Sequence, residues 1–114
     1  MLRLHGIRNC DTVRRARRWL EARGLDYDFH DFRTEGLAAE TLADWLERAG
    51  CTALVNRRSA TWRGLAPEAR RRIEAGDCLE VLLAHPTLLR RPVVEHPGGL
   101  LVGFDPATWQ AVLE

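Results

Sequence analysis

The stretch Met1-Leu2-Arg3-Leu4-His5-Gly6-Ile7-Arg8-Asn9-Cys10-Asp11-Thr12-Val13, continued by Ala16, Trp19 and Leu20, decides the fold. Leu2, Leu4 and Gly6 alternate with Arg3 and His5, the period of a strand with one buried face. Polar residues 9–12 interrupt. Val13, Ala16, Trp19 and Leu20 then recur at helical spacing until Arg23-Gly24 ends the run. Tyr27, Phe29 and Asp31 alternate with Asp28 and His30 as a second strand. Residues 1–32 therefore predict a β-α-β unit with a right-handed crossover and two parallel strands.

Downstream, Leu42, Trp45, Leu46 and Ala49 fall at i, i+3, i+4 and i+7, which predicts an amphipathic helix over 38–49 stopped by Gly50. Pro67 suits the first position of a helix running through Ile73 to Gly76, and Leu79, Leu82 and Leu83 predict another before His85-Pro86. Pro92–Glu95 and Leu100–Phe104 flank Pro97-Gly98-Gly99, the pattern of a hairpin. Asp105-Pro106 opens a last helix carrying Trp109, Val112 and Leu113. A parallel pair, a helical stretch and an antiparallel hairpin build an α/β fold. It is thioredoxin-like, a mixed four-stranded sheet with flanking helices and an inserted helical lobe. The expectation is one domain over 1–114, with the thioredoxin-like part at 1–32 and 88–114 and the helical insert at 33–87.

Composition narrows the function. The chain has 114 residues, 46% apolar and 29% charged, with Lys+Arg 17 against Asp+Glu 16 and a net charge of +1. That is one ordinary globular domain without the field that attracts nucleic acid or anionic membrane. The first residues lack the apolar core of a secretory signal, so a cytoplasmic, monomeric protein is expected. The three cysteines, Cys10, Cys51 and Cys78, are odd in number and widely spaced, which argues against a disulfide framework. Reduced thiols are the expectation. With four histidines they form no C-x-x-C or H-x-x-x-H, so no metal or other cofactor is expected.

Cys10 stands where the first strand meets the first helix. Backbone N–H groups there lack helical acceptors, and the helix dipole leaves roughly half a positive charge. That setting favours a thiolate, the nucleophilic form, although Asp11 opposes it. Cys10 is the candidate nucleophile, with Asn9 and Thr12 beside it as candidate substrate contacts. Cys51 follows Gly50 and Cys78 opens an apolar run, so both read as packing residues with a resolving role left open. Arg91-Pro92 precedes the third strand, where a thioredoxin-like sheet commonly carries a cis X–Pro bond facing the active cysteine. The Arg91 guanidinium would then reach the sulfur and any anion on it. Arg57 and Arg58 form a second basic turn and are further candidate substrate contacts. The arginines at 14, 15, 17 and 18 read as a solvated helix face.

Taken together, Gly6–Thr12, Arg17–Leu20, Tyr27–Asp31, Leu54–Arg58, Thr61–Arg63, Arg91–Val93 and Val102–Phe104 make the whole chain resemble the arsenate reductase-like (ArsC) family. The likeness is greatest to its YffB branch. The resemblance implies a nucleophilic Cys10 and places Arg91 and a cis Pro92 in the site. It implies a monothiol reductase in which Cys10 attacks a disulfide or oxyanion and glutathione, as co-substrate, resolves the adduct. Glutaredoxin is a candidate partner. The arsenate reductase branch has further arginines where this chain has Asn56 and Gly103, and a histidine where it has Gly6. True arsenate reduction is accordingly an alternative. The other is a non-catalytic, protein-binding regulator like the Spx branch, whose C-x-x-C is here Cys10-Asp11-Thr12-Val13.

Overall fold

A computed structural model describes residues 1–114. The chain divides into two compact units, Met1–Glu35 with Arg91–Glu114, and Gly36–Arg90.

The first unit holds the whole sheet. Strands β1 (Leu2–Gly6), β2 (Tyr27–Asp31), β3 (Val93–His96) and β4 (Gly99–Val102) lie in the order β2-β1-β3-β4. β1 and β2 run parallel, with Leu4 opposite Phe29, while β3 is antiparallel to both β1 and β4. Between β1 and β2 comes helix α1 (Asp11–Ala22), a short helix α2 (Phe32–Glu35) follows β2, and α8 (Pro106–Leu113) closes the chain. This is the thioredoxin-like mixed sheet with flanking helices that the alternation and helical periods predicted.

Period-2 alternation sends Leu2, Leu4, Val94 and Leu101 to one face, where they pack with Val13, Ala16 and Leu20 of α1 and Trp109 of α8. Leu4, Val13, Ala16, Leu20 and Val94 are wholly buried. Each such leucine or valine side chain contributes about 1.5–3 kcal/mol by leaving water. Trp19, Phe104 and Trp109 meet edge to face, with Phe104 and Trp109 centroids 4.8 Å apart. Trp109 Nε1 also donates to the Gly103 carbonyl at 3.1 Å. The loop after β4 is thus anchored to the core.

Three arginines of the α1 face are engaged within the unit. Arg14 binds Asp11, Arg15 lies over Phe104, and Arg17 lies 4.1 Å from the Phe29 ring centroid and donates to the Tyr27 hydroxyl. The face read as simply solvated is partly a set of braces.

The second unit is helical. It contains α3 (Ala39–Ala49), α4 (Cys51–Leu54), α5 (Ala60–Arg63), α6 (Pro67–Glu74), α7 (Leu79–Ala84) and a 3-10 turn over Pro86–Leu88. The periodicity identified α3, α6 and α7; α4 and α5, four residues each, are too short to show a period. An isolated antiparallel bridge joins Val55 and Leu89, flanked by Asn56 N–H to the Leu88 carbonyl and Arg90 N–H to the Leu54 carbonyl.

One expectation is overturned here. Cys51 and Cys78 are joined in a disulfide, their Cα atoms 6.1 Å apart across a separation of 27 residues. Counting cysteines weighed against any disulfide because it sees only spacing along the chain. The fold brings the first residue of α4 and the residue before α7 to the same Ile73 carbonyl, which lies 3.7 Å and 3.9 Å from the two sulfurs.

Candidate functional site

Cys10 is the chain's free cysteine and is half-buried, packed at the edge of the first unit's core. It is the N-cap of α1, with extended backbone (φ −124°, ψ 126°), and its carbonyl accepts the Arg14 N–H at 2.9 Å. The thiol makes no capping hydrogen bond. The first-turn N–H groups are therefore left to an anion arriving at, or forming on, the sulfur.

Arg14 braces the turn that carries the thiol. Its guanidinium donates to Asn9 Oδ1 and to Asp11 Oδ1, each at 2.6 Å. The Asp11 carboxylate that opposes a thiolate is thus paired with a cation. The same contact fixes the Asn9 amide, leaving its NH2 as the available donor. Thr12 is the second residue of α1 and half-buried.

Gly6 has a packing reason to be glycine. A Cβ there would stand 2.9 Å from Val13 Cγ2, so the bare backbone lets the first turn of α1 approach the end of β1.

Arg91 and Pro92 stand at this same end of the sheet. The Arg91–Pro92 peptide bond is cis, and Pro92 is buried. His5 pairs with Val93, so the register carried one residue further sets Pro92 across from Gly6. The Pro92 carbonyl accepts the Gly103 N–H at 2.8 Å, and Gly103 itself adopts φ +78°. A chain of contacts thereby runs from Trp109 through Gly103 to Pro92. Asn9, Cys10, Thr12, Arg91 and Pro92 all belong to the first unit.

Arg57 and Arg58 belong to the second unit. The Asn56 side chain accepts the Arg58 N–H at 3.0 Å, Ser59 Oγ donates to the Asn56 carbonyl, and the Arg57 guanidinium lies 5.1 Å from the Trp62 ring centroid. The predicted basic turn exists as a defined loop, with one arginine resting on an aromatic face.

Asp31 is the positioning residue that the sequence reading missed. Its carboxylate is 4% exposed and accepts the N–H groups of Arg8, Arg33 and Thr34 at 3.0, 2.9 and 3.4 Å. Burial opposes its charge, but those three donors outweigh it and hold the carboxyl below its ordinary 3.8. It joins the loop before Cys10 to the end of β2. Asp31-Phe32-Arg33-Thr34-Glu35 carries the Asp of a helix start, and Glu35 returns a bond to the Asp31 N–H at 2.9 Å. The strand alternation ending at Asp31 obscured that signal.

On the opposite sheet face from α1, His5 Nε2 and Glu95 Oε1 are 2.7 Å apart, and the His5 and His30 ring centroids are separated by 5.2 Å. Burial lowers His5 below 6.5, against the pull of Glu95. No group of three or more His, Cys, Asp or Glu side chains is placed to hold a metal ion.

The fold is shared with known proteins. A solved YFFB protein superposes with a TM-score of 0.93 at 36% identity, covering 100% of both chains. An arsenate reductase (ArsC) related protein from Brucella melitensis gives a TM-score of 0.77 at 43% identity, over 99% of this chain and 94% of that one. An uncharacterized protein of Haemophilus influenzae is 37% identical over 111 residues, 97% of each chain. The global transcriptional regulator Spx 2 of Bacillus anthracis is 25% identical over 92% of this chain and 81% of its own. The family profile of ArsC matches residues 5–112, and the chain belongs to the ArsC family.

Proposed function

We propose that the protein is a glutathione-dependent monothiol reductase of the ArsC type. The observation that carries this reading is the free Cys10 at the N-cap of α1, its first-turn amides uncapped and its neighbouring carboxylate paired with Arg14. The Cys10 thiolate attacks one sulfur of a disulfide, the substrate S–S bond breaks, and one half leaves as thiolate while the other is held as a mixed disulfide. A glutathione thiolate then attacks the adduct and releases Cys10. The α1 amides and the Arg91 guanidinium stabilise the negative charge in both steps, and Pro92 shapes the wall beside the sulfur. An oxyanion such as arsenate is the alternative substrate of the same nucleophile. Asn9 and Thr12 contact the substrate, and Arg57 and Arg58 are assigned to substrate or partner binding. Glutaredoxin would serve as an alternative resolving thiol.

The test is reduction of a small disulfide by glutathione with the intact chain and with Cys10→Ser. Turnover by the intact chain and none by the variant is expected. Turnover surviving Cys10→Ser overturns the assignment.

The match to Spx regulators favours a second reading, a protein-binding module acting through the Arg57-Arg58 turn. It predicts that Arg58→Ala abolishes capture of a partner protein from lysate while Cys10→Ser does not.

A further inference from the structure

Beside Cys10, on the β2 side of the sheet end, lies a cavity of about 400 Å³ lined by Ile7, Arg8, Asn9, Asp31, Arg33 and Thr34. Its walls carry one carboxylate and two guanidinium groups. The carboxylate, Asp31, is already committed to three backbone N–H groups. The Arg8 guanidinium lies 5.5 Å from the Phe29 ring centroid, which keeps it against the sheet edge. The Arg33 side chain is exposed and enters no ion pair, and the Asn9 amide, its oxygen taken by Arg14, has its N–H donors to offer. Asp31 stays ionised, but its oxygens already face backbone N–H groups, and against its single charge the lining carries two arginines and an amide. The net positive lining favours an external anion, and a planar carboxylate suits guanidinium forks.

We propose that this cavity binds a carboxylate of the small peptide thiol that exchanges with Cys10; the inference rests on the reading of Cys10 as the nucleophile. Reach supports it. Asn9 lines the cavity and is bonded to Cys10, and Arg8 lies two residues from it, at most about 7 Å along the chain. A thiol whose sulfur sits on Cys10 places a carboxylate one or two residues away into this pocket. In the exchange with oxidised glutathione, Cys10 S⁻ bonds to one glutathione sulfur, the S–S bond breaks and the other glutathione leaves as thiolate. The cavity holds the carboxylate of the half that stays.

The test measures adduct formation on Cys10 by intact mass against time, using oxidised glutathione and, in parallel, the uncharged bis(2-hydroxyethyl) disulfide. The readout is the ratio of the two rates in the unaltered chain, Arg33→Gln, and Arg8→Gln/Arg33→Gln. The ratio is expected to fall by about tenfold or more in the double variant, one charge-assisted contact being worth roughly a factor of ten. The single variant should lie between, and added salt should narrow the difference. An unchanged ratio with both disulfides still reacting overturns the carboxylate subsite and leaves the nucleophile standing. No adduct from either disulfide in the unaltered chain overturns the nucleophile and with it this proposal.

Discussion

The two units treat their cysteines in opposite ways. In the first, Cys10 is unpaired, half-buried and seated at the start of a 12-residue helix whose opening amides no side chain caps. In the second, Cys51 and Cys78 are tied to each other, one at the start of a four-residue helix and the other just before a six-residue helix. The first unit has a sheet and a continuous apolar core to hold it, so a thiol at its rim is spare for chemistry. The second has no strands, and short helices are marginal without tertiary support. The difference teaches that the position of a cysteine relative to the main core, rather than its residue type, separates a sulfur left free from one tied into the structure.

That contrast is broken most directly by exchanging the roles. Cys10→Ser should reduce mixed-disulfide formation to background while leaving thermal stability unchanged, measured by intact mass and by a melting curve. Cys51→Ala/Cys78→Ala should do the reverse. Opening a loop of 27 residues' separation is expected to cost about 3–4 kcal/mol, with a Tm lower by roughly 10–15 °C. Its rate of adduct formation at Cys10 should be that of the unaltered chain. A longer-lived adduct in the double variant would show that the pair, once reduced, takes part in resolving it.

Smaller effects sharpen the account of the first unit. Asp31→Ala leaves three N–H groups without their acceptor and is expected to cost about 2–3 kcal/mol in denaturant unfolding, with slower exchange at Cys10 because the Arg8 tether is lost. Gly103→Ala places a side chain at φ +78° and should cost about 1–2 kcal/mol. The mildest effect is that of pH. His5 is lowered from 6.5, chiefly by burial, so acid protonates the unfolded chain at this residue before the folded one. Its contribution is complete above 6.5 and is lost as pH falls through the folded value. Asp31, lowered from 3.8 by its three donors, adds a loss of the same sign at more acid pH. Denaturant unfolding should show stability falling below about pH 6.5, with a shallower slope in His5→Leu.

Much of the first unit was legible in the sequence because its elements are long or strictly alternating. Leu2, Leu4 and the Val13–Leu20 stripe identify β1 and α1, and the Pro97-Gly98 turn marks the hairpin. The placement of Cys10 at a helix start was legible for the same reason, since it falls at a boundary that two clear periods define. Asp31 was not, because a strand residue and a helix N-cap share one position and its partner Arg8 lies 23 residues away. Nor was the Cys51–Cys78 pair, which depends on how α4 and α7 turn back toward Ile73. Contacts of that kind leave no period in the chain. Arg8 could be read only as a nearby cation and Arg33 not at all, being two exposed arginines until the ends of β1 and β2 are set side by side.

The most direct measurement is intact mass after incubation with oxidised glutathione, followed by peptide mapping of the modified residue. One glutathionyl group on the peptide containing Cys10, with Cys51 and Cys78 still joined, is the predicted result. An unmodified Cys10, or an adduct formed on Cys51 or Cys78 instead, would contradict the assignment of the reactive sulfur to the start of α1.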